Sequence, residues 1–329
     1  MRLFRYEQAT NESDAIAMLL DAPNGAFLAG GTNLVDHMRL EIATPDVLID
    51  VRRVTPDRIE ELANGGLRIG AAVSNSELAA DRRIRGRYPV LAEAVLSGAS
   101  YQLRNVATTG GNLLQRTRCV YFQDRTTPCN KREPGSGCSA REGFQRDAAI
   151  FGASAACVAT HPSDMAVALL ALDAVIRIRG SNGQKEIPLM ELHRLPGAEP
   201  ERDTTLTHGD LITAVDVPAL HFAANSRYRK VRDRASYAFA LVSVAAALDV
   251  ADGIVRDVRI ALGGVAHKPW RAQRAEQALR GQRANEANFR AAAEAELAEA
   301  QPLAGNSFKV PLARNAMVGT LLDITPGMR

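Results

Sequence analysis

The sequence predicts an α+β protein of more than one domain. Three observations carry this expectation. The chain has 329 residues, more than one hydrophobic core usually serves. Strand-like and helix-like stretches are mixed along it. Between them, residues 115–147 hold many Arg, Gly and Pro and little apolar periodicity, which marks a long irregular loop of the functional kind. Apolar content of 46%, charged content of 23% and a net charge of +3 are ordinary for a globular protein and do not call for nucleic acid.

The elements follow in order. Residues 12–20 read as a short helix with Ser13 or Asp14 near its start. Residues 26–29 read as a buried strand, followed by two glycines and a helical turn with Leu34 and Met38 on one face. Residues 47–51 and 67–71 read as strands, with Asn64, Gly65 and Gly66 as a turn before the second. Ser74 or Asn75 caps a helix over 76–80, and 89–97 is a helix opened by Pro89. Ser163 and Asp164 cap an apolar helix over 165–172. Strands at 174–179 and 185–189 are joined by Gly180-Ser181-Asn182-Gly183, a hairpin signal. After strand 211–217 comes a boundary near 221–227. Beyond it lie strand 227–231, an apolar segment 237–250, strand 255–262, and helices over 270–280 and 286–300.

Near the N-terminus, Glu7, Gln8, Asn11, Glu12 and Asp14 break up the apolar run that a signal peptide needs. No apolar run approaches the roughly 18–20 residues that span a bilayer. The expectation is no export signal and no membrane span.

Two glycine pairs stand out. Gly30-Gly31-Thr32-Asn33 follows a strand and opens a helix, and Thr108-Thr109-Gly110-Gly111-Asn112 repeats the chemistry further on. Such glycines let backbone approach a ligand, and N–H groups at a helix start attract phosphate. Two loops converging on one pyrophosphate is the functional reading; two tight turns is the plain one. There is no G-x-G-x-x-G or G-x-x-x-x-G-K-[ST] signature.

All four cysteines, Cys119, Cys129, Cys138 and Cys157, lie in one segment. They show neither the close C-x2–4-C pair of zinc sites nor a thioredoxin-like C-x-x-C. Four thiolates are what a 4Fe-4S cluster takes. Arg116, Arg118, Arg125, Lys131 and Arg132 would offset its negative charge, and Gly135 and Gly137 would free backbone N–H groups to face sulfur. Two disulfides, zinc, or simply buried cysteines are the alternatives.

The stretches LAGGTNLVDHM, RNVATTGGNLLQ, SDMAVALLALDA and KVRDRASYAFALVSVAAAL, with ALGGVAHKPWRA at 261–272, together resemble the flavin-binding subunit of the xanthine dehydrogenase family of molybdenum hydroxylases. Within it, the cysteine segment with CNKREPGSGC is most similar to the FAD subunits of bacterial periplasmic aldehyde oxidoreductases. The resemblance implies a vanillyl-alcohol-oxidase-type FAD-binding domain of two subdomains over 1–222. An iron–sulfur loop is inserted in it at about 113–160, and a C-terminal α+β domain of the CO-dehydrogenase-flavoprotein type follows over 223–329. It implies that Phe27, Leu28, Ala29, Gly30, Gly31, Thr32, Asn33, Leu34 and Val35 form a first FAD loop around the pyrophosphate. Thr108, Thr109, Gly111 and Asn112 would form a second, and Asp164 would contact flavin or ribityl. Lys230 and Arg234 fall where basic residues face the flavin; a salt-bridging lysine is the plain alternative. Gly98 falls near the family's stacking aromatic, leaving Tyr101 or Tyr121 as nearby substitutes. The connection from the second loop to Asp164 is longer than in most of the family, and the excess holds the four cysteines, which favours a 4Fe-4S cluster.

The implied activity is an electron relay. A large molybdenum-cofactor subunit oxidises an aldehyde with water, and a small subunit passes electrons through 2Fe-2S clusters. This chain receives them on FAD for an external acceptor, and none of its residues needs to act as nucleophile or acid. The expected assembly is a heterotrimer, in the periplasm by export with a signal-bearing partner or in the cytoplasm. His161 is close enough in sequence to Asp164 to serve flavin or cluster; His193, His208, His221 and His267 show no metal-ligand spacing. Rival readings are a benzoyl-CoA-reductase-type flavin subunit, a disulfide-stapled binding protein and a stand-alone flavin oxidase.

Overall fold

The computed structural model describes residues 1–327. Strands Arg5–Gln8, Val47–Asp50 and Gly25–Leu28 form a parallel sheet with Val47–Asp50 in the middle. The central strand is buried along its whole length, as suits a parallel strand covered on both faces. Helix Glu12–Leu20 packs Ala15, Ile16 and Leu19 into the same core. Asn11 caps this helix in place of Ser13 or Asp14: its side chain accepts the Asp14 N–H.

A five-stranded antiparallel sheet follows, in the order Ile59–Glu61, Leu67–Gly70, Leu211–Val217, Val175–Gly180 and Gly183–Pro188. The last two strands are the expected hairpin. Helix Asn75–Ala80 begins in a capping box, with Ser74 and Glu77 satisfying each other's backbone N–H. Helix Pro89–Ser97 starts on its proline. Helix Asp164–Ala171 is buried at every residue and lies between Pro89–Ser97 and the C-terminal sheet, so it joins the two halves of the molecule. Ser163 caps it by accepting the Ala166 N–H.

The C-terminal sheet is antiparallel, in the order Trp270–Arg271, Ile254–Gly263, Val242–Ala251 and Ser226–Val231. Helices Gln273–Leu279, Glu286–Leu297 and Lys309–Asp323 contribute to its core. Three sequence expectations change here. The helix over 270–280 starts only at Gln273, because Trp270 and Arg271, just after Pro269, pair with Leu262 and Ala261 as an edge strand. The apolar segment 237–250 is strand Val242–Ala251, held by ladders on both sides despite its alanines. Helix Lys309–Asp323 was not expected. Strands Arg5–Gln8 and Ile59–Glu61 were not either: both are short edge strands whose side chains are mostly exposed, so no buried alternation announces them.

The inserted segment has little regular structure beyond helix Val120–Gln123 and a turn of 3-10 helix at Ser139–Arg141. Its own buried apolar cluster is Ala140, Ala148 and Val158, too small to order a loop of this length unaided. Among the described residues no helix is long and apolar enough to cross a membrane.

Candidate functional site

The two glycine loops meet. Strand Gly25–Leu28 delivers Gly30 against the backbone at Val106 and Ala107, where an added Cβ would stand 2.1 Å from the Val106 carbonyl oxygen. Gly31 has φ +70°, a left-handed conformation that glycine adopts without strain. In the second loop, Thr108 caps the short helix Thr109–Leu113 by accepting the Gly111 N–H at 3.2 Å. Asn33 Oδ1 accepts the Arg116 N–H at 3.0 Å, tying the first loop to the start of the insertion. Asn112 Oδ1 accepts from Ser163 Oγ at 2.6 Å, tying the second loop to the cap of the central helix.

Together they frame a cavity of about 700 Å³. Phe27, Ala29, Gly30, Gly31, Thr32, Asn33, Leu34, Thr108, Gly111, Asn112, Asp164 and Lys230 all line it. Three expected residues do not. Leu28 and Val35 fall outside the lining, and Thr109 is fully buried with its hydroxyl donated to the Val73 carbonyl. Gly98 lines the cavity, but neither proposed aromatic does. Tyr101 is 67% exposed on the surface, and Tyr121 belongs to the insertion, where its hydroxyl accepts the Phe144 N–H. Beside Phe27 of the first loop, the wall carries Tyr237 and Phe239, from the loop between strands Ser226–Val231 and Val242–Ala251. Sequence reasoning missed them because that loop is far along the chain from both glycine pairs. The aromatic character of SYAFA was the available signal.

Asp164 is the polar centre of the wall. The Lys230 ammonium pairs with its Oδ2 at 2.7 Å, and the Tyr228 hydroxyl donates to its Oδ1 at 2.6 Å. Burial, then the adjacent carboxylate, pushes the Tyr228 phenol well above its ordinary value, so it stays a donor. Lys230 also donates to the Ser97 carbonyl, which leaves one of its three N–H groups uncommitted. Arg234 lines the same cavity, but its guanidinium lies 5.7 Å from the Tyr237 ring centroid and donates to that residue's carbonyl. Behind the first loop, burial and the nearby Arg116 and Arg118 push His37 down to about 4, so it is neutral.

The four cysteines come together around one small space lined by Cys119, Cys129, Cys138 and Cys157. All four are free thiols in the structure. Among the described residues no group of three or more His, Cys, Asp or Glu side chains is set to hold a metal ion. Cys129 and Cys138 face each other across an antiparallel bridge. The hairpin between them is closed by Asn130, whose side chain accepts the Gly137 N–H at 2.8 Å. Backbone N–H groups already face sulfur: that of Ala159 lies 3.5 Å from Cys157 Sγ. Those of Phe122 and Tyr121 bond to Cys119. Burial pushes the Cys157 thiol up to about 12 and raises Cys119. Such thiols give up their protons only to a strongly cationic partner.

Long side chains hold this segment in place. Lys131 is buried and bonds to Asp203 and to the Pro200 carbonyl, the latter at 2.6 Å. Arg116 pairs with the other oxygen of Asp203 at 2.7 Å. These cations keep the Asp203 carboxyl well below the ordinary range, against the upward push of burial. Arg132 reaches the carbonyls of Tyr121 and Phe122 at 2.8 Å.

Comparison with known proteins matches this geometry. Residues 2–220 match the family model of the FAD binding domain in molybdopterin dehydrogenase, and 226–323 that of the CO dehydrogenase flavoprotein C-terminal domain. The aldehyde oxidoreductase FAD-binding subunit PaoB of Escherichia coli (strain K12) is 50% identical over 98% of both chains. The glyceraldehyde dehydrogenase medium chain of Sulfolobus acidocaldarius is 26% identical, over 86% of this chain and 83% of its own. Among solved structures, quinoline 2-oxidoreductase from Pseudomonas putida 86 superimposes with a TM-score of 0.77 at 22% identity, over 100% of this chain and 99% of that one. Carbon monoxide dehydrogenase from Hydrogenophaga pseudoflava gives 0.75 at 25% identity, over 97% and 96%. The chain belongs to the FAD-binding subunits of the molybdenum hydroxylases, the oxidoreductase family of xanthine dehydrogenase, aldehyde oxidoreductase and carbon monoxide dehydrogenase.

Proposed function

We propose that this chain is the electron-carrying subunit of a molybdenum-dependent aldehyde oxidoreductase. It holds FAD in the large cavity and a 4Fe-4S cluster on Cys119, Cys129, Cys138 and Cys157. Electrons come from the 2Fe-2S and molybdenum-cofactor centres of a small and a large partner subunit, in a heterotrimer, and leave for an external acceptor. Residues 1–222 form the FAD-binding domain and 223–329 the second domain. The observation that carries this reading is the placement of four free thiols around one space, beside a cavity framed by two glycine loops. The 50% identity to an aldehyde oxidoreductase subunit along nearly the whole chain supports the aldehyde class.

When bound, FAD supplies storage of two electrons and the cluster one-electron transfer; the residues of this chain place and tune them. Gly30 and Gly31 leave room for a pyrophosphate against the backbone, and Thr32, Asn33, Thr108 and Asn112 border it with polar groups. Lys230 and Tyr228 hold Asp164 in one orientation at the cavity wall. Tyr237 and Phe239 close the wall with apolar surface and limit water. Around the cysteines, Lys131 and the N–H groups of Phe122, Tyr121 and Ala159 offset the charge of four thiolates.

The test is the iron, acid-labile sulfide and FAD content of the anaerobically purified chain, beside Cys129→Ser. About four irons and one FAD are expected, with iron lost and FAD kept in the variant. FAD without iron in the unaltered chain would remove the cluster from the reading.

A further inference from the structure

The first glycine loop and the cysteine insertion share a seam. Helix Leu34–Arg39 continues from the loop, and residues 116–125 of the insertion run beside it in the same direction. Asn33 stands at the N-cap of that helix, yet its side chain does not cap it; Oδ1 accepts the Arg116 N–H at 3.0 Å instead. Arg118 pairs with Asp36 at 3.0 Å. The Phe122 ring meets the His37 ring edge-on, with centroids 5.5 Å apart, and the Arg116 guanidinium covers Phe122 at 4.8 Å. Arg125 donates to Glu41 at 2.6 Å. Glu41 has φ +54°, a left-handed conformation where glycine is the usual residue after a helix. A glycine there would relieve the backbone but would lose the carboxylate that holds Arg125.

The seam is a wall of both sites. Asn33, Asp36, His37 and Arg118 line the large cavity. Cys119 and Phe122 line the cysteine space, and the Phe122 N–H bonds to Cys119. The His37–Phe122 pair therefore has one ring on each site. The insertion's own apolar cluster is small, so residues 116–125 need other support to stay ordered. A group bound by all four cysteines would tie the insertion together at points spread along it. The first loop would then meet FAD already braced, and FAD binding would cost less ordering.

Resting on the two-cofactor reading above, we propose that this seam makes FAD and cluster binding cooperative. A cluster on Cys119 fixes residues 116–125, and these hold helix Leu34–Arg39 and the loop before it in the FAD-binding position. Phe122 and Arg125 act as positioning residues, through His37 and Glu41. The linkage is reciprocal, so bound FAD also favours the ordered insertion.

The test is anaerobic titration of FAD into the deflavinated full chain, read by quenching of flavin fluorescence. The cluster-free Cys119→Ser chain is expected to bind FAD about fivefold more weakly than the cluster-loaded one, a shift in affinity that leaves the site filled when FAD is in excess. Arg125 and Glu41 line neither the large cavity nor the cysteine space. In the cluster-loaded chain, Arg125→Glu is expected to weaken FAD binding about threefold, and Glu41→Arg in the same chain to restore it. In the Cys119→Ser chain, Arg125→Glu should add little, because the brace it breaks no longer carries the cluster's effect. Equal FAD affinity with and without the cluster, a loss that the reversed pair does not restore, or fully additive losses overturns the proposal. Should Cys119→Ser not fold, the reversed pair decides alone. Failure of the underlying reading is seen separately, as an unaltered chain that takes up no FAD or no iron.

Discussion

The glycine loops and the cysteine insertion are both irregular backbone wrapped around a site, yet they are held in opposite ways. The loops are held by backbone fit: Gly30 abuts the Val106 carbonyl, and Thr108 and Asn33 each accept a backbone N–H nearby. The insertion has a minimal apolar core and is held by Lys131, Arg116, Arg132 and Asn130. Several of these reach main-chain carbonyls far along the chain. A binding loop can thus be made rigid by removing side chains or by adding long ones. The first is stiff and intolerant at a single atom. The second can be inserted into an existing fold, but depends on a few buried ions.

Variants that empty one site and spare the other would sharpen the contrast, beginning with Gly30→Ala. Its methyl would displace backbone, not a flexible side chain. The FAD content of the purified chain should fall at least about tenfold, or about 1.4 kcal/mol or more in affinity, as read from visible absorbance. Full retention of flavin would mean that the two loops are not rigidly fitted.

Lys131→Met attacks the insertion. It leaves the Asp203 carboxylate with Arg116 alone and should destabilise the segment by about 3 kcal/mol. Limited proteolysis within the insertion and loss of iron, with FAD kept, are the expected results. Simultaneous loss of flavin would show that the two regions fold as one unit.

Lys230→Met is the mirror variant. It leaves buried Asp164 with the Tyr228 hydroxyl as its remaining side-chain donor, at an expected cost of about 2 kcal/mol. Weaker FAD retention with iron unchanged is expected; equal loss of both would erase the distinction.

The smallest effect concerns the seam between insertion and C-terminal domain. Lys309 is buried and donates to the carbonyls of Ala148 and Gly264. Burial pushes its pKa from 10.5 to about 8. Between those values the unfolded chain binds more protons than the folded one, so this group makes stability rise with pH across that window; below about 8 its cost is full. Lys309→Met should flatten the rise and change stability near neutral pH by no more than about 1 kcal/mol. Urea unfolding on both sides of the window measures it.

The sequence by itself determined what is local. The Ser74–Glu77 box, the Pro89 helix start, the Gly180–Gly183 hairpin and the two glycine pairs all carry their cause within a few residues. The cysteine cluster was visible as composition alone. Tertiary structure decided what depends on residues distant in the chain. It placed all four thiols on one space, although Cys119 and Cys157 stand far apart in sequence. It put Tyr237 and Phe239, rather than Tyr101 or Tyr121, on the large cavity. It paired Lys230 with Asp164 across two domains. It also made strands of Trp270–Arg271 and Val242–Ala251, where propensity alone favours helix or decides nothing. The division has one physical reason. A cap or a turn is satisfied by its neighbours, whereas a buried charge or an edge strand is satisfied only by a partner that folding brings to it.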